Sequence, residues 1–313
     1  MARARREPGE VHPAMTAPAD SLVPSLVGVP TARSTGLRRF LASYRRQWLG
    51  VIGVAMLSLV VVAAVFAPWI APYDPTKIDP IHLLEAPSTQ HWLGTDGLGR
   101  DVFSRIVYGA RVSLYSGFLV VSISMVLGTV IGLVAGYAGG LLDAILMRSM
   151  DALLAFPGLI LALAITAALG PSLTNAMIAI AVLSLPGAAR IVRGETLSLR
   201  ERDFVTAERV VGAGPLRILF QHVLPNTLAP IIVIASLRVG GAVLVETGLS
   251  FLGLGVQPPT ASWGSMVNEG ARFLEIAPWI AMGAGGAIFL TVLGANFAGD
   301  AIRDVLDPRL RGQ

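Results

Sequence analysis

Few residues in this chain are placed to do chemistry, and the first question is which chemistry they allow. The four histidines, His12, His82, His91 and His222, are scattered. No two stand at the i, i+4 spacing that puts a pair of imidazoles on one helical face for a metal ion. Cysteine is absent, so there is no disulfide, thiolate nucleophile or cysteine-type zinc site. The glycine-rich run Gly94-Thr95-Asp96-Gly97-Leu98-Gly99-Arg100-Asp101 could suggest a phosphate cradle. A cradle of that kind is followed by Gly-Lys-Ser/Thr and preceded by a strand, and this run has neither. The bland alternative is a tight turn feeding an amphipathic helix capped by Asp96 or Asp101. No Ser–His–carboxylate set can be argued, and no Gly-x-x-x-x-Gly-Lys-Ser/Thr sequence occurs anywhere. The chain is therefore expected to catalyse nothing, to hydrolyse no ATP alone, and to bind no metal or cofactor itself. Two pointed features remain: a charged stretch over residues 203–230, and Arg238 inside an apolar run.

The elements around them are set by composition. Of 313 residues, 54% are hydrophobic and only 14% charged, with a mean hydropathy of +0.68. Uncharged apolar runs of membrane-spanning length recur, which predicts an all-α polytopic membrane protein. The formal charge of +4 does not call for nucleic acid, because the arginines fall mostly between the apolar runs. Six spans are expected: residues 48–70, 112–139, 153–169, 173–185, 228–245 and 276–297. The third and fourth share one uncharged stretch with Pro171 and Asn175 at the turn. Gly117, Gly128, Gly132 and Gly136 predict close helix packing. Arg38, Arg39, Arg45 and Arg46 precede the first span, and Arg190, Arg193, Arg200, Arg202, Arg209 and Arg217 crowd the segment after the fourth. The predicted outer segments hold only Lys77, Arg100, Arg105, Arg111 and Arg272. That bias places both termini in the cytoplasm. The expected divisions are a disordered cytoplasmic tail (1–40), the first span with an external segment (41–111), the transmembrane core (112–298) with a loop over 190–226, and a cytoplasmic tail (299–313).

Within the loop, helical patterns cover residues 204–211 and 216–223, with Gly212-Ala213-Gly214-Pro215 between them. Asp203 is expected to cap the first helix, the glycines to permit the turn, and Pro215 to open the second helix. On pattern alone this is either an amphipathic loop on the lipid surface or a docking surface for a cytoplasmic partner. Arg238 is expected to face inward, since an arginine at the centre of a span costs roughly 2.5–3.5 kcal/mol on insertion scales. Three positions compete for it: snorkelling to the outer interface, a structural tie between helices, or the lining of a translocation path.

The segment Thr206-Ala207-Glu208, then Gly212, then Leu224-Pro225-Asn226 resembles the coupling loop of permease subunits in binding-protein-dependent ABC importers. It departs from the family's Glu-Ala-Ala pattern at Thr206 and Glu208. The run from Gly94 to Arg111, the Asp151/Ala155-Phe156-Pro157 pattern and the stretch from Glu246 to Gly264 are similar to the dipeptide/oligopeptide/nickel branch. The resemblance runs from about residue 45 to 309. It implies an assembly of this chain with a second homologous permease, two cytoplasmic ATPases that bind ATP and magnesium, and a periplasmic or lipid-anchored solute-binding protein, in the inner membrane of a bacterium. It implies that Asp203, Thr206, Ala207, Glu208, Gly212, His222, Leu224 and Pro225 form the ATPase-coupling element. Asp96, Arg100, Asp101 and Trp263 would lie in external loops, with Trp263 and Trp279 as ring anchors at the outer interface. Dipeptides or oligopeptides are the implied cargo, with nickel or another small solute as the rival. A secondary transporter would need intramembrane carboxylates, and no mid-span Asp or Glu is evident. A purely structural membrane protein would have no use for a coupling loop.

Overall fold

The computed structural model describes Leu41 and residues 43–306. The tail expected over 1–40 lies outside the described residues, as do residues 307–313. Residues 299–306, expected in the C-terminal tail, instead continue the last helix.

Among the described residues the architecture is helical, with one isolated β-bridge between Thr95 and Asp101. α1 (Trp48–Val65) and the short α2 (Ala67–Ile70) make the first span. Their break has a local cause. Pro68 cannot donate a backbone hydrogen bond and its ring displaces the carbonyl four residues earlier, that of Ala64. Arg111 fills the gap, its Nε donating to the Ala64 carbonyl at 2.6 Å.

α3 (Val102–Ala138) begins ten residues before the span expected from the apolar run. At about 1.5 Å per residue it is roughly 55 Å long, so it must project beyond an apolar layer of about 30 Å. α4 (Gly140–Leu154) and α5 (Gly158–Leu169) follow, bent by 92° at residues 155–157. α6 (Leu173–Arg200), α7 (Asp203–Val210), α8 (Pro215–Phe251), α9 (Trp263–Arg272) and α10 (Pro278–Leu306) complete the chain. Five helices are long and apolar enough to cross a membrane, and the bent pair α4–α5 makes a sixth crossing if it is counted as one span. Large apolar side chains such as Phe118, Val126, Met282 and Phe289 are more than 60% exposed on these helices. In water that would be costly, whereas acyl chains are their natural solvent.

Lipid gives helices little hydrophobic reason to associate, so close backbone approach must do it. α3 supplies a glycine seam for α6. A Cβ on Gly132 would lie 2.6 Å from the Ala189 carbonyl oxygen, and one on Gly136 would lie 2.8 Å from Thr196 Cβ. At the other end of α3, Gly117 meets Val243 of α8, and Gly53 of α1 lies against the Ala298 backbone of α10.

The arginine-rich loop is shorter than expected because α6 runs on to Arg200. Arg193 forks Asp143 of α4 with two hydrogen bonds of 2.6 Å, Arg190 pairs with Asp151, and Arg200 donates to the Tyr137 carbonyl at 3.0 Å. These side chains clamp α6 to α4 and to the end of α3.

Candidate functional site

The segment expected to couple to a partner is two short helical pieces around one tight turn. Asp203 is not the cap: the N-cap is Arg202, and Asp203 opens α7 in its first turn, where a carboxylate still favours the helix dipole. At the far end the amide of Ala213 donates to the Glu208 carbonyl (2.9 Å) and that of Gly212 to the Arg209 carbonyl (3.0 Å). This pair of bonds is the Schellman pattern, which demands a left-handed residue, and Gly212 has φ +86°. Gly214 has φ −70°, an ordinary extended backbone, so only one of the two glycines is needed for its conformation. Pro215 then begins α8 as expected.

The turn is held from inside and bare outside. Val205, Ile218 and Val223 are buried together with Leu133 and Val192. Glu208 and His222 face each other at 3.3 Å across the two pieces, so this carboxylate is engaged within the chain. Val210, Val211, Leu216 and Phe220 are 61–84% exposed around the turn, and Thr206 and Ala207 are exposed beside them. Residues Ile218–Val223 form a π-turn. Pro225 explains it: with no amide hydrogen to offer, and with its ring crowding the Gln221 carbonyl, it widens the helix immediately before Leu224.

The residues expected in external loops form a buried ionic core rather than a surface. Asp101 caps α3, accepting from the Ser104 amide at 2.8 Å, and its other oxygen lies 2.9 Å from His91 Nδ1. Asp96 accepts from the amides of Leu98 and Arg100 and from Arg100 Nε (2.7 Å), with Arg105 Nη1 3.0 Å away. Arg100 also donates to Glu269 of α9 at 3.0 Å. Asp96, Arg100 and Arg105 are all buried. Trp263 is not a ring anchor at an interface. It is 1% exposed, and its Nε1 donates to the Ile106 carbonyl beside Gly109, where a Cβ would meet the indole at 2.9 Å. Trp279 likewise donates to the Thr95 carbonyl. Trp263 thus fastens α9 to the start of α3, and Trp279 fastens α10 to the loop that precedes α3.

Sequence reasoning missed three residues here. Glu269 joins the ionic core from 169 residues away, and no local spacing signals it. Glu246 stands one residue past the span expected over 228–245. α8 continues to Phe251, so Glu246 is fully buried in the helix and accepts from the Ser250 hydroxyl at 2.7 Å. Its i, i+4 spacing from Ser250 was the available signal. Gly187 is the third. The Arg238 guanidinium lies directly against it, so that a Cβ there would stand 3.0 Å from Cζ. The neighbouring Ala188 packs on Gly128, ten residues before the end of α3 and within its uncharged run, which puts the guanidinium against protein inside the apolar part of the bundle.

Comparison with known proteins agrees with this geometry. Residues 128–312 match the family described as "binding-protein-dependent transport system inner membrane component". Residues 35–87 match the N-terminal transmembrane domain of oligopeptide transport permease C. The dipeptide transport system permease protein of Alkalihalophilus pseudofirmus is 45% identical over 267 residues, covering 85% of this chain and 88% of that protein. The glutathione transport system permease protein of Escherichia coli is 45% identical over 284 residues, covering 90% and 94%. With the family match extending over more than half its length and such relatives covering nearly all of it, this chain belongs to the binding-protein-dependent transport system inner membrane components, the non-catalytic, multi-pass permease subunits of ABC importers.

Proposed function

We propose that this subunit forms half of the path by which short peptides cross a bacterial inner membrane, driven by ATP that partner subunits hydrolyse. The observation that carries the reading is the bare apolar turn at Val210, Val211, Leu216 and Phe220, on a chain with no nucleotide-binding sequence of its own. A docking surface without a motor calls for a separate motor. Two ATPases holding ATP and magnesium would seat the two α7–turn–α8 elements of this chain and a second, homologous permease. The rigid hinge-side packing of Val205, Ile218 and Val223 would pass their closure to α6 and α8 as a rocking of the membrane helices. A solute-binding protein would deliver cargo at the layer built on Asp96, Arg100, Asp101 and Trp263. Both termini would lie in the cytoplasm, as the arginine distribution supports.

Peptide cargo is supported by relatives named for dipeptide and glutathione transport. The test is uptake by the complete complex in proteoliposomes, with its own binding protein, of a labelled dipeptide, glutathione and Ni²⁺. Uptake of a peptide that requires ATP and is abolished by omitting the ATPases is expected. Uptake of Ni²⁺ with no peptide uptake would overturn the cargo assignment.

A further inference from the structure

We propose that Arg238 is a water-exposed counter-charge in the translocation path, placed to meet the carboxylate of a passing peptide, with Gly187 as the seat that lets it lie there. The peptide half of this inference rests on the function proposed above.

The guanidinium makes no hydrogen bond, ion pair or ring contact with any described residue. A structural tie needs a partner carbonyl or carboxylate, and among the described residues none is present. Yet the side chain is only half-buried, well inside an apolar span, where an uncompensated charge facing acyl chains is heavily disfavoured. An arginine in that position needs water or an anion.

On α6, Gly187, Ile191 and Glu195 stand at successive i+4 positions, and on α8 so do Pro230, Ile234 and Arg238. Residues at that spacing share one face of a helix. Four of those six residues, Ile191, Glu195, Pro230 and Ile234, line a single cleft of about 630 Å³, together with Asn226 and Arg303. The two helices run in opposite directions. Glu195, Asn226 and Arg303 therefore lie at the end of the cleft nearest the coupling element, and Leu237, next to Arg238 in the chain, lines its other end. Arg238 itself lies just outside the lining, against Gly187. A side chain on Gly187 would occupy the place where the guanidinium rests, so glycine there is what allows the charge to lie against α6.

The test uses the complete complex with partner-subunit cysteines replaced, since this chain has none of its own. Arg238→Cys is reconstituted and treated with a cationic or an anionic methanethiosulfonate, and uptake of a dipeptide with a free carboxylate is followed. Loss of one charged hydrogen bond predicts a fall of about tenfold or more in uptake for the unmodified variant. Both reagents should label the cysteine, and only the cationic adduct should restore uptake. Failure of both reagents to label would show a dry position and overturn the proposal. Equal rescue by both adducts would make the role one of packing, and loss of complex assembly would make it a tie to the second permease; either also overturns it. If the wild-type complex takes up no peptide, the cargo reading and the carboxylate role fall together. Labelling then still decides whether Arg238 lines a hydrated path.

Discussion

Replacing Gly212 tests whether the coupling turn is set by backbone conformation or by room for a side chain. Its φ of +86° lies in the left-handed region, and nothing lies within 4 Å of where a Cβ would be. Bulk should therefore be tolerated and conformation should not. A residue with a Cβ loses about 1–2 kcal/mol in that region, which is a factor of roughly 5–30 in the population of the closed turn. Asparagine visits the region several-fold more readily than most residues, and a β-branched side chain is a true outlier there. Coupling should consequently fall in the order Gly, Asn, Ala, Val, although alanine is smaller than asparagine. The assay is ATPase co-purification together with ATP-dependent uptake in proteoliposomes, with membrane insertion checked separately. If Gly212→Ala keeps full coupling and Gly212→Asn loses it, side-chain volume governs the turn and the conformational argument is wrong.

Asp96→Asn leaves Arg100 and Arg105 without their shared carboxylate in a site where all three are buried. Breaking a buried pair from one side costs about 3–5 kcal/mol, so thermal unfolding of the purified complex should move sharply downward. An unchanged midpoint would mean that the ionic core does not hold the outer layer. Thr260→Cys, at an exposed position, should react with a membrane-impermeant thiol reagent from outside, whereas Thr95→Cys should stay silent because Thr95 is fully buried; labelling of Thr260→Cys only from the cytoplasmic side would reverse the proposed orientation. The hydrogen bond that His82 Nδ1 donates to Asp79 holds His82 above the usual histidine range and Asp79 below the usual carboxylate range. The pairing is therefore present between those two values, and is lost as pH rises through the raised histidine value or falls through the depressed carboxylate value. Asp79→Asn should lower the His82 midpoint in an NMR titration, and a midpoint that does not move would show that the bond is not made in solution.

Much of the turn between α7 and α8 was legible because its signals are local. Gly212 and Pro215 mark a turn and a helix start wherever they fall, whereas the exposure of Val210 and Val211 and the place of Asp203 inside α7 depend on the fold around them. The span expectations were right in number to within the broken pair and wrong at their ends. An apolar run records where a helix meets lipid, not where its hydrogen bonds stop. α3 thus begins at Val102, in charged sequence, because Asp101 caps it, and α6 continues to Arg200 because Asp143, Asp151 and the Tyr137 carbonyl neutralise its arginines.

What the sequence determined by itself was the class of protein: apolar runs of spanning length, arginines gathered mostly between them, a glycine seam for close packing, and a glycine–proline turn in a charged loop. Each follows from the period, composition or special backbone demand of a few neighbouring residues. Only the tertiary structure decided the fates of Trp263, Glu246, Glu269 and Arg238. For each, local pattern allows more than one environment, and the choice depends on what a distant segment brings. Trp263 is buried because Gly109 leaves room for its ring. Arg100 is paired because α9 delivers Glu269. Arg238 lies against α6 because Gly187, fifty-one positions earlier, carries no side chain to keep it out.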